Sequence, residues 1–511
     1  MFFLWGLIFF CIFVMWLRGI FFVENLIINA LKHENDMKTS AISVKRVLVV
    51  MLFLAASIYA QCQNNWISMA SGCQYCDTSI VRKWNAEWSL LFTNSGCGNQ
   101  FHIIDVSGTN LVSFLTKCDV KDMEIIEDTA YFCGMDGNGN PVIGYFVITD
   151  MLSGTLQENR ILPYVSTGYA ITPRRLEAFH VSDGVHIVMV EDKKFPSGIV
   201  KRVLADVFKA YSAGGWFIEE LFYSNYDADD DYFYCDDIAV TDNYVFASGH
   251  KRYSSGIYMR HFEKPTSALV VPGMFYSISQ STLGNIIYDY FNNLVPNPYF
   301  NVVGDTYGEH YVYCTHTTGD NVVIACMSIN GGSVADTFGV TVKNIYVPSM
   351  GLTNDVFLSY SSASLSSDWD VRDVRYDADN DAVLVLHDRN IPGTGVAGSV
   401  VTVVDYPAFS NRFSLYPISG FYQHSMDRFP YIGTAMISCG NSYSGTQNLT
   451  IGMNEWGASL CYGKFVMPIM RSYKCLQSFR VPLNSSSFQV FSPVEVDEQV
   501  GLDVDIMCED E

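Results

Sequence analysis

Basic side chains are scarce in this chain. Lys and Arg number 31 against 53 Asp and Glu, a formal charge of −22. Nucleic acid and anionic lipid are held by neutralising phosphate, so both are excluded as natural partners. The motifs of several familiar chemistries are also missing. There is no His-Glu-x-x-His, and "GNSYSG" (440–445) is not Gly-x-Ser-x-Gly. "GASLCYGKF" (457–465) has one residue too many between its glycines for a phosphate loop and lacks Ser or Thr after Lys464. "CQYC" (Cys73, Cys76) has no second pair or His at zinc spacing, which favours a disulfide to elsewhere. Helical periodicity is rare as well. Only "IVKRVLADVFKAY" (199–211) carries it, and the repeat described below assigns its first half to a strand, leaving room for a short helix after Leu204.

Two apolar segments lie near the start. Met1–Leu17 is uncharged and at the short end for a membrane span. Met37 is followed by Lys38, Lys45 and Arg46, then by Val47–Ala56 and "SIYA" before Gln61. That order of basic, apolar and small residues is the pattern of a secretory signal peptide. The expected organisation is therefore upstream read-through or a membrane segment over 1–36, a signal peptide over 37–60, a body over 61–490, and a closing strand with an acidic tail over 491–511. Export places the body in the periplasm, on the cell surface or outside the cell. Loss of 1–60 removes more basic than acidic residues, so the body is more acidic still. Of fourteen cysteines, all but Cys11 fall in the exported part, where disulfides are expected. Cys314 and Cys326 lie on either side of the turn signal Thr318–Asn321 and are candidates to face each other across a hairpin.

Self-similarity organises the body. "DMEIIEDTAYFCG" (Asp122–Gly134) aligns without a gap on "DIAVTDNYVFASG" (Asp237–Gly249), 115 residues later. A midway copy is "FHVSDGVHIVMV" (Phe179–Val190), with Val181 placed 59 residues before Val240. "SGIVKR" (Ser197–Arg202) and "SGIYMR" (Ser255–Arg260) are 58 apart. Coarser strand–turn–strand echoes occur at 88–106, 310–329, 381–406 and 433–453. About seven units of roughly 60 residues fill the body, in the range of radial four-stranded repeats. Runs such as "HIVMV" (186–190), "NVVIAC" (321–326) and "AVLVL" (382–386) are apolar without alternation, as strands covered on both faces should be.

These features resemble β-propellers in general. The expected fold class is all-β, a β-propeller of about seven four-stranded blades, with tandem β-sandwiches as the alternative. The resemblance is architectural. The lone Trp369-Asp370 and Gly249-His250 fall in different units, and no sialidase-type Asp box is present.

Two candidate sites follow from spacing. "DADND" (Asp377–Asp381) puts Asp377, Asp379 and Asp381 at alternate positions, as a calcium loop does. Position six is Ala382 instead of Gly and position twelve is Asp388 across a strand, so a turn competes with calcium. The second site is a cationic rim. Turns between second and third strands carry Lys193 and Lys194, then His250, Lys251, Arg252 and Tyr253, then His387 and Arg389. Propellers present such turns around the central channel. The resemblance thus implies a binding or scaffold module for an extracellular or periplasmic ligand, an anionic glycan or a protein. A carbohydrate-active hydrolase or lyase on the same scaffold is the competing class, and nothing in the sequence selects a catalytic pair.

Overall fold

The computed structural model describes residues 66–509 except 71–77, 106–109, 156–158, 162–169, 224–232, 269–285, 290–298, 302–310, 332–336, 360–369, 391–396, 417–420, 443–447, 454–463, 472–476, 479–487, 495–503 and breaks of one or two residues. By contacts the chain divides into two units, Met1–Gln61 and Cys62–Glu511. The first lies outside the described residues, as do Cys73 and Cys76.

The second unit is all-β, built from seven small antiparallel sheets. In chain order the first strands of their meanders are Thr78–Lys83 (sheet I), Asp119–Ile126 (II), Ala170–Val181 (III), Phe233–Val240 (IV), Tyr313–His316 (V, where the earlier Tyr299–Asn301 pairs the same neighbour), Val371–Asp377 (VI) and Phe421–Tyr431 (VII, which the earlier Trp66–Ala70 also joins). Each sheet then meanders outward through successive hairpins. Every first strand lies against the first strand of the sheet before and after it, and that of VII lies against that of I. The neighbour relations therefore run round a closed cycle.

Burial explains the apolar runs. Ile187 and Met189 pack toward sheet II, whereas Val188 and Val190 pack toward sheet IV. Val323 and Ala325 likewise face sheet VI, while Val322, Ile324 and Cys326 face sheet IV. A strand sandwiched this way has no polar side to alternate with. The same reason makes 199–211 look helical. It is the strand Val200–Ala210, with Leu204 buried on one face and Ala205 and Val207 on the other. The one described α-helix is Ile148–Ser153, closed by Gly154 in the left-handed region (φ 71).

The long-range alignment holds in register. Asp122 lies opposite Cys133 and Asp237 opposite Ser248, both members of the second pair displaced by 115 from the first. The midway copy needs correcting. Arg175 lies opposite Val190 as Asp237 lies opposite Ser248, so equivalent residues are 62 apart on the first strands and 58 apart on the second, on either side of the 59 read from the sequence. The hairpin of sheet III runs farther, to Val181 opposite Gly184, and those extra residues mislead a gapless comparison. In the third strands Leu204 and Met259 are equivalent, an offset of 55 instead of 58. Cys314 lies opposite Ile324, so Cys326 is displaced along the partner strand. Cys118, Cys133, Cys235, Cys314 and Cys326 are all buried.

The two ends of the described chain meet on sheet VII. Trp66–Ala70 pairs with Asn448–Met453 on one side and Val504–Glu509 on the other. The last segment returns past the outer edges in reverse order. Lys464–Val466 joins sheet VI, Ile469–Arg471 sheet V, Gln477–Ser478 sheet IV, Phe488–Phe491 sheet III and Pro493–Val494 sheet II. Added outer strands cover sheet edges that otherwise expose unpaired backbone groups.

Sheets I and II share a core of Phe92, Phe101, Phe132 and Phe146. The ring of Phe101 sits 5.3 Å from those of Phe92 and Phe132 and 4.9 Å from that of Phe146. Phe101→Ala leaves a cavity at this junction and is expected to cost about 3–5 kcal/mol, read by urea unfolding; a loss below ~1 kcal/mol contradicts this packing.

Candidate functional site

The first strands of sheets II, III, IV, VI and VII share an irregularity. Each shifts register immediately before Asp122, Arg175, Asp237, Asp373 and Ser425 respectively, and that of sheet VII shifts again beyond Arg428. An extra residue at such a bulge re-aims the side chains that follow. After it comes an aliphatic residue, then Glu124, Glu177, Ala239, Arg375 and Asp427.

Three of the aspartates staple neighbouring sheets. Asp122 Oδ2 accepts the Leu176 N–H at 3.1 Å, Asp237 Oδ2 the Cys314 N–H at 2.9 Å, and Asp373 Oδ2 the Met426 N–H at 3.0 Å. These bonds join II to III, IV to V and VI to VII. Ser425 Oγ continues the series by accepting the Val81 N–H of sheet I at 3.3 Å.

Arg82 is the hub. Its Nη2 donates to Asp122 Oδ1 at 2.7 Å, its Nε to the Met123 carbonyl at 2.7 Å and its Nη1 to Ser425 Oγ at 2.9 Å. It also lies 3.7 Å from Glu124 and 3.9 Å from Asp373. Arg375 of sheet VI reaches Asp373 at 3.4 Å and Glu124 of sheet II at 3.9 Å. Arg175 of sheet III reaches Asp122 at 3.9 Å and stacks 4.7 Å over the Tyr313 ring of sheet V. Sheets II and VI, or III and V, are not neighbours in the cycle. Their side chains nonetheless meet in this one cluster.

Exposure sorts the cluster into two layers. The side chains of Arg82, Asp122 and Asp373 are 3, 5 and 7 % exposed. Those of Glu124, Arg175 and Arg375 retain 23, 21 and 18 %, and Glu177 and Asp237 are also only half-buried. The second group keeps contact with solvent, and the first lies behind it.

Burial sets the protonation of the lining. It raises Glu124 in spite of Arg375 and Arg82. It lifts Glu177 well above the carboxylate range, helped by the neighbouring Glu124 charge. It pushes Asp237 to about 7 against the pull of Arg175. Asp373 is the contrast. Burial raises it too, but Arg375, Arg82 and Arg175 together hold it below the usual value. Glu177 has no hydrogen bond and no ion pair among the described residues. A second network flanks the cluster: Arg174 and Arg202 share Asp192 at 2.5 and 2.8 Å, and Arg202 continues to Asp236 at 2.9 Å.

Two residues of the expected rim, Lys193 and His387, are buried instead of exposed. Lys194 is exposed at the end of its strand, but Lys193 is 7 % exposed, inside the hairpin of sheet III. His387 is 1 % exposed, since it sits within the strand Ala382–Asn390 instead of the turn beyond it, and its Nε2 lies 3.1 Å from Thr402 Oγ1. His250 and Lys251 occupy a strand end opposite Tyr234 and Phe233, and Arg389 lies opposite Gly398. Arg252 and Tyr253 lie outside the described residues.

Asp377 and Asp381 form a hairpin turn. Asp377 is buried opposite Ala382, whereas Asp381 is exposed with φ 46. The Asp381 carboxylate accepts the Tyr376 hydroxyl at 3.0 Å, and its carbonyl accepts the Tyr406 N–H at 2.7 Å. Asp379 lies outside the described residues. Among the described residues no three His, Cys, Asp or Glu come together as a metal centre.

The axial residues had a signal that spacing motifs do not catch. "DME", "RLE", "DVR" and "SMD" (122–124, 175–177, 373–375, 425–427) all place an aliphatic residue between two polar ones, five of the eight flanking residues being carboxylates.

No family model matches the chain, and no curated protein matches it. Among solved structures, a BT0996 RGII complex is similar at a TM-score of 0.31 and 7 % identity, over 78 % of this protein and 93 % of that one. That degree of likeness carries no argument about fold or function.

Two measurements test the cluster. Arg82→Met strands Asp122 without its partner and is expected to cost about 3–5 kcal/mol in denaturant unfolding; a neutral substitution dissolves the hub. Asp237, raised in the fold from ~3.9 in the unfolded chain, binds its proton more tightly when folded. Its contribution to stability therefore falls as pH rises through about 7. The melting temperature of Asp237→Asn should vary less between pH 6 and 8 than that of the parent, and parallel profiles contradict the assignment.

Proposed function

We propose that the body is an exported seven-bladed β-propeller, a ligand-binding module whose site is the axial lumen lined by Glu124, Arg175, Glu177, Asp237 and Arg375. The cyclic neighbour relations of the seven sheets support the propeller, and tandem sandwiches offer no reason for the first strand of VII to lie against that of I. The signal pattern at 37–60 supports export. Among the described residues no helix is long and apolar enough to cross a membrane.

The observation that carries the binding reading is Glu177. A carboxyl that keeps solvent contact and has no protein hydrogen-bond partner among the described residues is open to a ligand's donor groups. Mixed Arg, carboxyl and Tyr groups suit a hydroxyl-rich ligand, because each can give or take hydrogen bonds. The ligand class is therefore a glycan. Five carboxyls (Asp122, Glu124, Glu177, Asp237, Asp373) face three guanidiniums (Arg82, Arg175, Arg375), which disfavours an anionic sugar at the axis. An acidic glycan or a protein would meet the rim at Lys194 instead.

A second reading has its own support. Glu124 and Glu177 are neighbouring carboxyls, both raised by burial, and such pairs serve general acid–base cleavage or elimination of glycosides. Glu177→Gln should keep the fold and weaken glycan-array binding about tenfold, the loss of one hydrogen bond to a charged or strongly polar group. Unchanged binding removes the axial site. Turnover of a bound oligosaccharide that disappears in the same variant selects the enzyme.

A further inference from the structure

One imidazole in sheet III has an acceptor on each side. His186 lies on the second strand, Gly184–Lys194, opposite Phe179 of the first strand and Phe208 of the third. The three rings stack: His186 sits 5.2 Å from Phe179 at 10° and 5.4 Å from Phe208 at 21°. Its Nδ1 lies 2.8 Å from Asp206 Oδ2, and both side chains are 1 % exposed. Its Nε2 lies 3.3 Å from the Ser267 carbonyl oxygen. A carbonyl can only accept, so Nε2 carries a hydrogen. A neutral imidazole then has none left for Nδ1, whose lone pair would face the carboxylate. Both contacts therefore require one proton more than a neutral imidazole beside a carboxylate supplies, whether that proton sits on Nδ1 or on Oδ2.

The Ser267 carbonyl comes from another sheet. Residues 264–268 follow Ser254–Glu263, the third strand of sheet IV, and strap the hairpin turn of sheet III. Ser182 Oγ donates to the Thr266 carbonyl at 3.0 Å. The Asp183 carboxylate accepts the Ser267 hydroxyl at 2.7 Å and the Ala268 N–H at 2.6 Å. Ala268 is fully buried against Gly184, where an added Cβ would strike its methyl group. Lys264 holds the other end to sheet IV, its N–H on the Asn243 carbonyl and its Nζ on that of Thr241, and stands 5.0 Å over the Phe179 ring.

We infer that His186 is a proton-operated latch, clamping the strap 264–268 of sheet IV onto sheet III when the His186–Asp206 pair holds its extra proton and releasing it when that proton is lost. The charged groups around the ring are Asp206 on the third strand, Asp183 at the turn and, beyond Phe179, Lys264 of the strap. Burial disfavours the imidazolium, but Asp206, the Ser267 carbonyl and Asp183 outweigh it and raise His186 above its usual value. Burial also raises Asp206 against the pull of His186, which retains the same shared proton. A ring raised in the fold binds its proton more tightly there than in the unfolded chain. The latch is therefore fully closed below about 6.5, the unfolded value, and is lost as pH rises through the higher folded one. Acid closes the strap and alkali opens it.

The test is hydrogen exchange of the full chain between about pH 6 and 9, corrected for intrinsic rates, beside a magnetic-resonance titration of the histidine rings. The His186 signal, assigned by its disappearance in His186→Gln, is expected to titrate with a midpoint above about 6.5. Over the same step, protection of peptides spanning 264–268 should fall about tenfold, the loss of one hydrogen bond to a charged group. Peptides of Phe233–Val240, which carry Asp237, should not follow. Asp206→Asn should move the step to lower pH, and His186→Gln should abolish it. A ring that titrates below about 6.5 overturns the latch. So does strap protection that ignores the titration, a loss shared equally by Phe233–Val240, or an unchanged step in His186→Gln. If a variant fails to fold, the coincidence of the two curves in the parent decides.

Discussion

A guanidinium at the centre of the cycle holds the arrangement together. Arg82 bonds to sheets II and VII and lies within ion-pair reach of sheet VI, so one side chain of the first sheet touches the last two and the second. Buried charge of this kind is weak evidence for net stability, because desolvation opposes the attraction. Its effect is on specificity of assembly. Apolar faces of neighbouring sheets can slide, whereas an aspartate that must meet one N–H of the next strand fixes the register between sheets. Asp122, Asp237 and Asp373 do this at every second junction, and Ser425 does it where the cycle closes.

The same arrangement produces the functional candidate. Strands that converge on an axis bring their inward residues close together whether or not those residues compensate one another. Where arginines are present the charges cancel and the groups are buried. Where Ala239, Tyr313 and Thr315 stand instead, Asp237 is held toward its protonated form, up to about 7, by burial against the pull of Arg175. Function and framework thus share one set of positions, the residue after the bulge and the residue two beyond it. Closure adds a further constraint. The strand 66–70 lies between 448–453 and 504–509, so the last sheet is complete only when both ends of the body are in place.

Much of the fold was legible in the sequence, and the reasons for the failures are specific. The 115-residue repeat survives because both hairpins have the same turn length. The midway copy slips because a longer hairpin in sheet III shifts every later match. Two of the rim residues were misplaced for a different reason. Lys193 and His387 look like turn residues when strands are assumed short, but their strands run to Lys194 and Asn390, and both side chains are buried along the way. The returning outer strands 464–494 could not be anticipated, since edge pairing is set by backbone groups that every sequence shares.

By itself the sequence determined an all-β chain of recurring hairpins, apolar on both faces, because short β-branched runs between Gly, Asn and Asp admit little else. It also determined where the aspartates and arginines sit along each first strand. Only the tertiary structure decided which of them meet. Asp122 and Arg82 are 40 residues apart, and Glu124 and Arg375 251 apart, yet both pairs fall within ion-pair reach. The physical reason is that the pairing of charges depends on which strands converge on the axis, and a linear order of residues does not carry that distance.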